Sequence, residues 1–234
     1  MNSNDRKILI ETQAKSLEKL FDDISFTIDK LENASNKNNF QEFLIVILLK
    51  RTLKFLNAYL ILIRKNLSEP SMAIVRSIFE ASLLIRWCLI DQENVKKYLK
   101  VGQSSASKMI ENLINNKYYD GDKQKKLEEA YAQSNKDKVS YTQWKEMAKV
   151  TGMTEIFNFV YPVLSAMSHG SLMAISAQVE KSDLSEDVDS INIAASIPLA
   201  NNFANDCYIL CGEWIYNKKI RPAPNLRDLL FKFE

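Results

Sequence analysis

Glycine and proline are scarce in this chain, five of each in 234 residues, too few for the frequent tight turns of a β-sandwich or barrel. Long helices need few such breakers, so an all-α, single-domain bundle of long helices is expected. Cysteine is equally sparse. Cys88, Cys207 and Cys211 make no disulfide framework, and the opening "MNSNDRKILIETQ" has no apolar core of a signal peptide, which together point to a reducing, cytoplasmic setting. Charge of one sign is also missing: 31 basic against 29 acidic residues leave a formal +2, which excludes the bulk cationic field of a DNA-coating protein and makes any nucleic-acid site local.

The scarcity of metal ligands is more restrictive still. There is one histidine, His169, and no Cys-x2-Cys pair; Cys207 and Cys211 share a helical face but read as core packing rather than a zinc site. The acidic run Asp183, Glu186, Asp187 and Asp189 lacks the spacing and glycine of an EF-hand and reads as a solvated loop. No Walker loop, dinucleotide fingerprint or G-x-S-x-G elbow is present, so neither a metal nor a cofactor is expected. The longest apolar run, "FLIVILLKRTLKFLNAYLILI", carries Lys50, Arg51, Lys54 and Asn57 in its middle, where a membrane would make charge costly. It reads as a helix packed in protein, and no membrane partner is expected.

What is present is helical periodicity. Over residues 5–33, Ile8, Leu17, Leu20, Ile24, Ile28 and Leu31 recur at three- and four-residue intervals, the pattern of a long amphipathic helix. A second helix is predicted over 40–66, and a third begins at "SEP", with Ser68 near the N-cap and Pro70 in the first turn. This third helix, "SMAIVRSIFEASLLIRWCLID", is apolar almost all round and is expected at the centre. A more polar helix follows over 93–116, then a turn at Gly121. Residues 119–150 read as a lysine-rich, solvated helical excursion with "SNKDKVS" at its tip. The core is placed at about 5–118 and 153–219. "KSDLSEDVDS" reads as an acidic loop, "INIAAS" as a possible short strand with nothing evident to pair with, and "PLANNFANDCYILCGEWIYNKK" as a final helix. Residues 220–234, beginning "IRPAPN", form a tail.

Two sets of polar residues interrupt this apolar pattern. Arg76 and Glu80 lie one turn apart on the third helix, on a face shared with Met72, Ala73, Phe79, Leu83 and Trp87. Burying such a pair often adds nothing to stability, so it either fixes helix register or serves a site. The second set lies in "NFVYPVLSAMSHGS". At 100° per residue, Asn158, Tyr161, Pro162, Ser165 and His169 form one seam, with Val160, Val163, Leu164 and Met167 elsewhere. Pro162 cannot donate to the Asn158 carbonyl and tends to bend the helix, and Gly170 with Ser171 permits a cap that leaves His169 at a helix end. A small-residue seam admits a close neighbour, and the third helix is the expected one. His169 then either makes one satisfied core hydrogen bond or joins Arg76, Glu80 and Ser165 in a polar site.

The segments "RSIFEASLLIRW" and "YPVLSAMSHGS" resemble a family of uncharacterised bacterial helical proteins, known only as a domain of unknown function, with an Arg-x3-Glu helix and a later Ser-x3-His segment. The resemblance covers about residues 40–178. More distantly the layout is similar to the HEPN helical bundles, many of which are dimeric toxins or phage-defence ribonucleases; their signature arginine, separated from a histidine by four to six residues, is replaced here by Leu164, Val163 and Pro162. The resemblance implies a metal-independent ribonuclease. In that reading His169 is the general base on a ribose 2'-hydroxyl, Arg76 neutralises phosphate charge and Glu80 orients either of them. Ser165, Tyr161 and Arg86 hold the substrate, and a second copy in a homodimer supplies the acid that one histidine cannot. The alternative is a non-catalytic module that binds a partner, or senses a small anionic ligand through Arg76.

Overall fold

A computed structural model of the chain describes residues 3–36, 39–116, 121–134, 144–168, 185–218 and 220–225. The expected tip "SNKDKVS", apart from Ser134, and the end of the tail, 226–234, lie outside these residues. The protein is all-α, with no strand among the described residues. Its described helices are α1 (Ser3–Ala34), α2 (Phe40–Arg64), α3 (Ser68–Ile90), α4 (Gln92–Asn115), α5 (Gly121–Ser134), α6 (Trp144–Val150), α7 (Thr154–Ser168) and α8 (Ser185–Asn217). They divide into two compact units, residues 91–143 and the remainder.

In the larger unit, α1 presents Ala14, Leu17, Ile24, Ile28 and Leu31 to the core, all buried, at the three- and four-residue spacing of one helical stripe. Ile8, at the start of that series, is exposed. Helix α2 is opened by Asn39, whose side chain accepts a hydrogen bond from the Gln41 amide at 3.1 Å. It closes with the Leu67 amide on the Leu62 carbonyl and the Asn66 amide on the Ile63 carbonyl, a Schellman cap in which Asn66 takes the left-handed conformation, φ 55°. Pro70 then sits in the first turn of α3, where its missing N–H has no intrahelical partner to lose.

Helix α3 is the centre of the bundle. It packs against α2, α6, α7 and α8, and every residue from 81 to 89 is buried, so its lack of a polar face is matched by neighbours on several sides. Phe79 meets Phe203 of α8 with ring centroids 4.9 Å apart. On α2, the buried Tyr59 hydroxyl bonds Ser196 of α8 at 2.6 Å.

The possible strand at "INIAAS" is a helix. α8 runs through it and through Pro198, with Ile193, Ser196, Ile197 and Ala200 buried on one side. Six residues offer too short a window to separate a period of 2 from one of 3.6, and packing of α8 against α1, α2 and α3 decides the matter. Of the expected acidic loop, residues 181–184 lie outside the described residues. Ser185 to Ser190 are helical, which puts Glu186, Asp187 and Asp189 near a helix N-terminus, where the macrodipole favours acidic residues.

The lysine-rich stretch divides at Trp144. Helix α6 packs on α3 and α7 in the larger unit and ends in a second Schellman cap, Met153 N to Ala148 O at 2.8 Å and Gly152 N to Lys149 O at 3.3 Å. Gly152 has φ +74° there, a conformation that a residue with a Cβ adopts only with strain. In the smaller unit α4 and α5 pack together; Asp91 caps α4 by accepting from the Glu93 amide at 2.9 Å.

Candidate functional site

The α3–α7 contact brings Arg76, Glu80, Tyr161 and Ser165 together. Arg76 donates from Nε to Glu80 Oε1 at 2.9 Å, from one terminal nitrogen to the Tyr161 hydroxyl at 2.9 Å and from the other to Ser165 Oγ at 3.4 Å. Its guanidinium carbon also lies 4.9 Å from the Tyr161 ring centroid, within cation–π range. Three side chains from two helices thus hold one guanidinium in one orientation. The ion pair is half-buried, with 18% of the Arg76 side chain and 24% of Glu80 exposed, so water reaches it.

The helical seam explains the convergence. Val160 and Leu164 face the core and anchor α7, which turns Tyr161 and Ser165 toward α3 and leaves Asn158, Pro162 and Val163 exposed. Behind the charged atoms stands an aromatic wall, Phe157 stacked on Tyr161 at 4.6 Å and Phe79 at 6.2 Å from Tyr161. Burial raises the Tyr161 phenol above its ordinary pKa against the opposing charge of Arg76. The phenol therefore stays protonated at neutral pH, able to accept from Arg76 and donate to Glu80. For Arg76, burial works against the charge, but the hydrogen bond and charge of Glu80 outweigh it and raise its pKa. The cluster is charge-balanced and hydrogen-bonded across α3 and α7.

His169 lies outside the described residues, one position beyond the end of α7. The third cation of the sequence reading, Arg86, does not join Arg76. Ten residues further along α3, about 15 Å at the helical rise, it is only 2% exposed and grips Asp206 of α8, with Nε to Oδ2 at 2.9 Å and a second, close bond from its terminal nitrogen to Oδ1. Ser82 donates to the same carboxylate at 2.7 Å. The remaining Arg86 donors reach the carbonyls of Arg221 at 3.0 Å and Pro222 at 3.4 Å, fastening the tail to α3. Asp206 was missed by sequence reasoning, although it falls among Phe203, Ala204, Cys207 and Leu210, the same signal of a charge inside an apolar stripe that singled out Arg76.

All three cysteines are free and buried. Cys207 Sγ accepts from Thr52 at 3.8 Å, and Cys211 donates to the Ile45 carbonyl at 3.9 Å, contacts of packed core thiols. Among the described residues no group of three or more His, Cys, Asp and Glu side chains is placed to hold a metal, and no helix is long and apolar enough to cross a membrane.

No curated protein and no solved structure matches this chain. A family model does, over residues 42–187, more than half of the length. The matched segment contains Arg76, Glu80, Arg86, Tyr161, Ser165 and His169 and leaves out Asp206, so the half-buried cluster between α3 and α7 falls wholly within it. The chain belongs to DUF5677, a family of unknown function.

Proposed function

We propose that the Arg76 cluster is a recognition site for an anionic group, a phosphate or carboxylate of a small ligand, on a non-catalytic helical module. The observation that carries this reading is the guanidinium of Arg76, oriented by Glu80, Tyr161 and Ser165 in a side chain that stays partly exposed. A pre-oriented guanidinium loses little conformational entropy when an oxyanion arrives. Glu80 keeps the guanidinium aligned, while the Tyr161 and Ser165 hydroxyls can turn their protons to the ligand. The test is thermal denaturation with inorganic phosphate, pyrophosphate and ribonucleotides. At least one of these raises the melting temperature of the wild type, and Arg76→Lys, which keeps the charge and loses the planar fork, removes that rise. No stabilisation by any of them, or an equal response in Arg76→Lys, overturns the reading.

A second reading makes the same cluster the phosphate-binding half of a metal-independent, HEPN-like ribonuclease, a toxin or phage-defence effector. What favours it is that Tyr161 and Ser165, members of the predicted seam, both reach Arg76, and His169 follows Ser165 by one helical turn of sequence. In this reading His169 takes the proton from a ribose 2'-hydroxyl, and a second copy of the chain supplies the acid for the leaving oxygen. RNA cleavage by the wild type that His169→Ala abolishes and Arg76→Ala reduces at least about a hundredfold is the expected result. Cleavage undiminished in His169→Ala eliminates this reading and leaves the binding one intact.

A further inference from the structure

The face of α2 turned away from the bundle is unlike an ordinary solvated surface. Phe40, Phe43, Ile47 and Ile61 are 48%, 45%, 43% and 47% exposed, and with Arg51 and Lys54, also exposed, they succeed one another at the three- and four-residue steps of a coiled-coil seam. Ala58, half-buried, fills the step between Lys54 and Ile61. Single exposed apolar residues need no explanation; an aligned series along a helix of 25 residues does. The opposite face of α2 is already committed to α1, α3 and α8. Phe40 and Phe43 make an aromatic pair at 6.2 Å on the surface, and Arg51 lies over Phe55 at 5.2 Å, so one end of the stripe and its middle have side chains in defined positions.

The charge pattern selects the occupant. The stripe is apolar at both ends and cationic at its centre. A second copy of the same face, set in parallel register or laid antiparallel about the Arg51–Lys54 turn, would bring these cations against one another, and like charges facing each other at a helical seam are unfavourable. We infer that this face docks an amphipathic helix of another protein, one with apolar residues in its outer turns and carboxylates in its central turns. Apolar contact at the ends supplies affinity, and pairing of the carboxylates with Arg51 and Lys54 sets the register and rejects other helices.

The experiment uses the full chain and two labelled helical peptides, each about four heptads long, with leucine at the seam positions of the outer heptads and either glutamate or lysine at those of the central heptads. Fluorescence anisotropy is expected to show the glutamate peptide binding at least about tenfold more tightly than the lysine peptide. Ile47→Asp weakens that binding at least about tenfold, and the double variant Arg51→Glu, Lys54→Glu reverses the preference between peptides. Circular dichroism melts establish that these surface variants keep the wild-type fold. Equal binding of both peptides, no binding up to about millimolar concentration, or a preference that the double charge reversal leaves unchanged overturns the inference. So does light scattering that finds a wild-type dimer dispersed by Ile47→Asp, which would assign the face to a second copy.

Discussion

Arg76 and Arg86 share one helix and one charge, and their surroundings give them different work. Arg86 has lost its water and is compensated by Asp206, itself bonded by Ser82, and by two tail carbonyls, whereas the Arg76 side chain stays partly exposed. A buried pair contributes little net stability, because desolvation of both ions offsets their attraction, but removing one partner strands the other. Asp206→Ala is therefore expected to lower unfolding stability by about 3–5 kcal/mol, read from urea denaturation. Replacing both partners by apolar residues, Arg86→Met with Asp206→Leu, costs less than the single change, because no unpaired charge remains; the Ser82 hydroxyl and the tail carbonyls still lose a partner. A double variant less stable than Asp206→Ala would show that the pair stabilises the fold directly. In the sequence, Arg76 and Glu80 stood out as charges inside an apolar stripe. The difference in exposure between Arg76 and Arg86 did not, since both are flanked by apolar residues and only the arrival of α8 and the tail buries one of them.

At the scale of elements, the start of α2 and the end of α8 are clasped through Glu42, whose residue surface is 5% exposed. Its carboxylate accepts from the Asn36 amide at 2.6 Å, the Asn39 side chain at 3.0 Å and Lys218 Nζ at 2.6 Å. Burial alone would raise its pKa, but the bonds from Lys218, Asn36 and Asn39 and the charge of Lys218 together outweigh burial and hold it below the ordinary 4.5. A carboxylate with a lowered folded-state pKa contributes stability that is present in full above its unfolded value and is lost as pH falls through the folded one. Stability of the wild type should thus decline below about pH 4.5, and Glu42→Gln should flatten that decline, measured as the urea midpoint across pH 3–6. An acid limb as steep in Glu42→Gln as in the wild type would remove Glu42 as its source. The helices themselves were legible: α1, α2, α3 and the later part of α8 announce themselves by periodicity, Ser68-Glu-Pro marks the start of α3, and apolar density returns after Gly152 where α7 follows. The beginning of α8 was not, because acidic residues and a six-residue alternation do not specify helix until a partner surface selects one face.

The whole molecule buries its three thiols, and this makes them reporters of global unfolding. Burial pushes Cys88 up to about 12, and burial raises Cys207 and Cys211 above their ordinary range as well, so the thiolate that reacts is suppressed along with access. At pH 8 a thiol reagent is expected to leave all three unmodified in the native protein and to modify all three in denaturant. Rapid labelling of any one under native conditions would show local opening of the α2–α3–α8 core. At this scale the larger unit holds α1 to α3, α6 to α8 and the tail, and the smaller holds α4 and α5. The lysine-rich composition over 119–150 does not mark that division, because Trp144, Met147 and Ala148 give α6 an apolar side that binds it to α3 and α7, whereas α5 packs on α4.

Local chemistry was enough to specify the helical class, most helix spans and the conspicuous charges on α3, because turn scarcity and a 3.6-residue apolar period act within a few turns of chain. Which charges meet and which are sealed from water were decided by the packing of α7 and α8 on α3, and which face of α2 is left uncovered by the packing of α1, α3 and α8 on its other side. Those outcomes depend on contacts between residues far apart in the chain, where burial and pairing are set by the neighbour that arrives and not by the residues alongside.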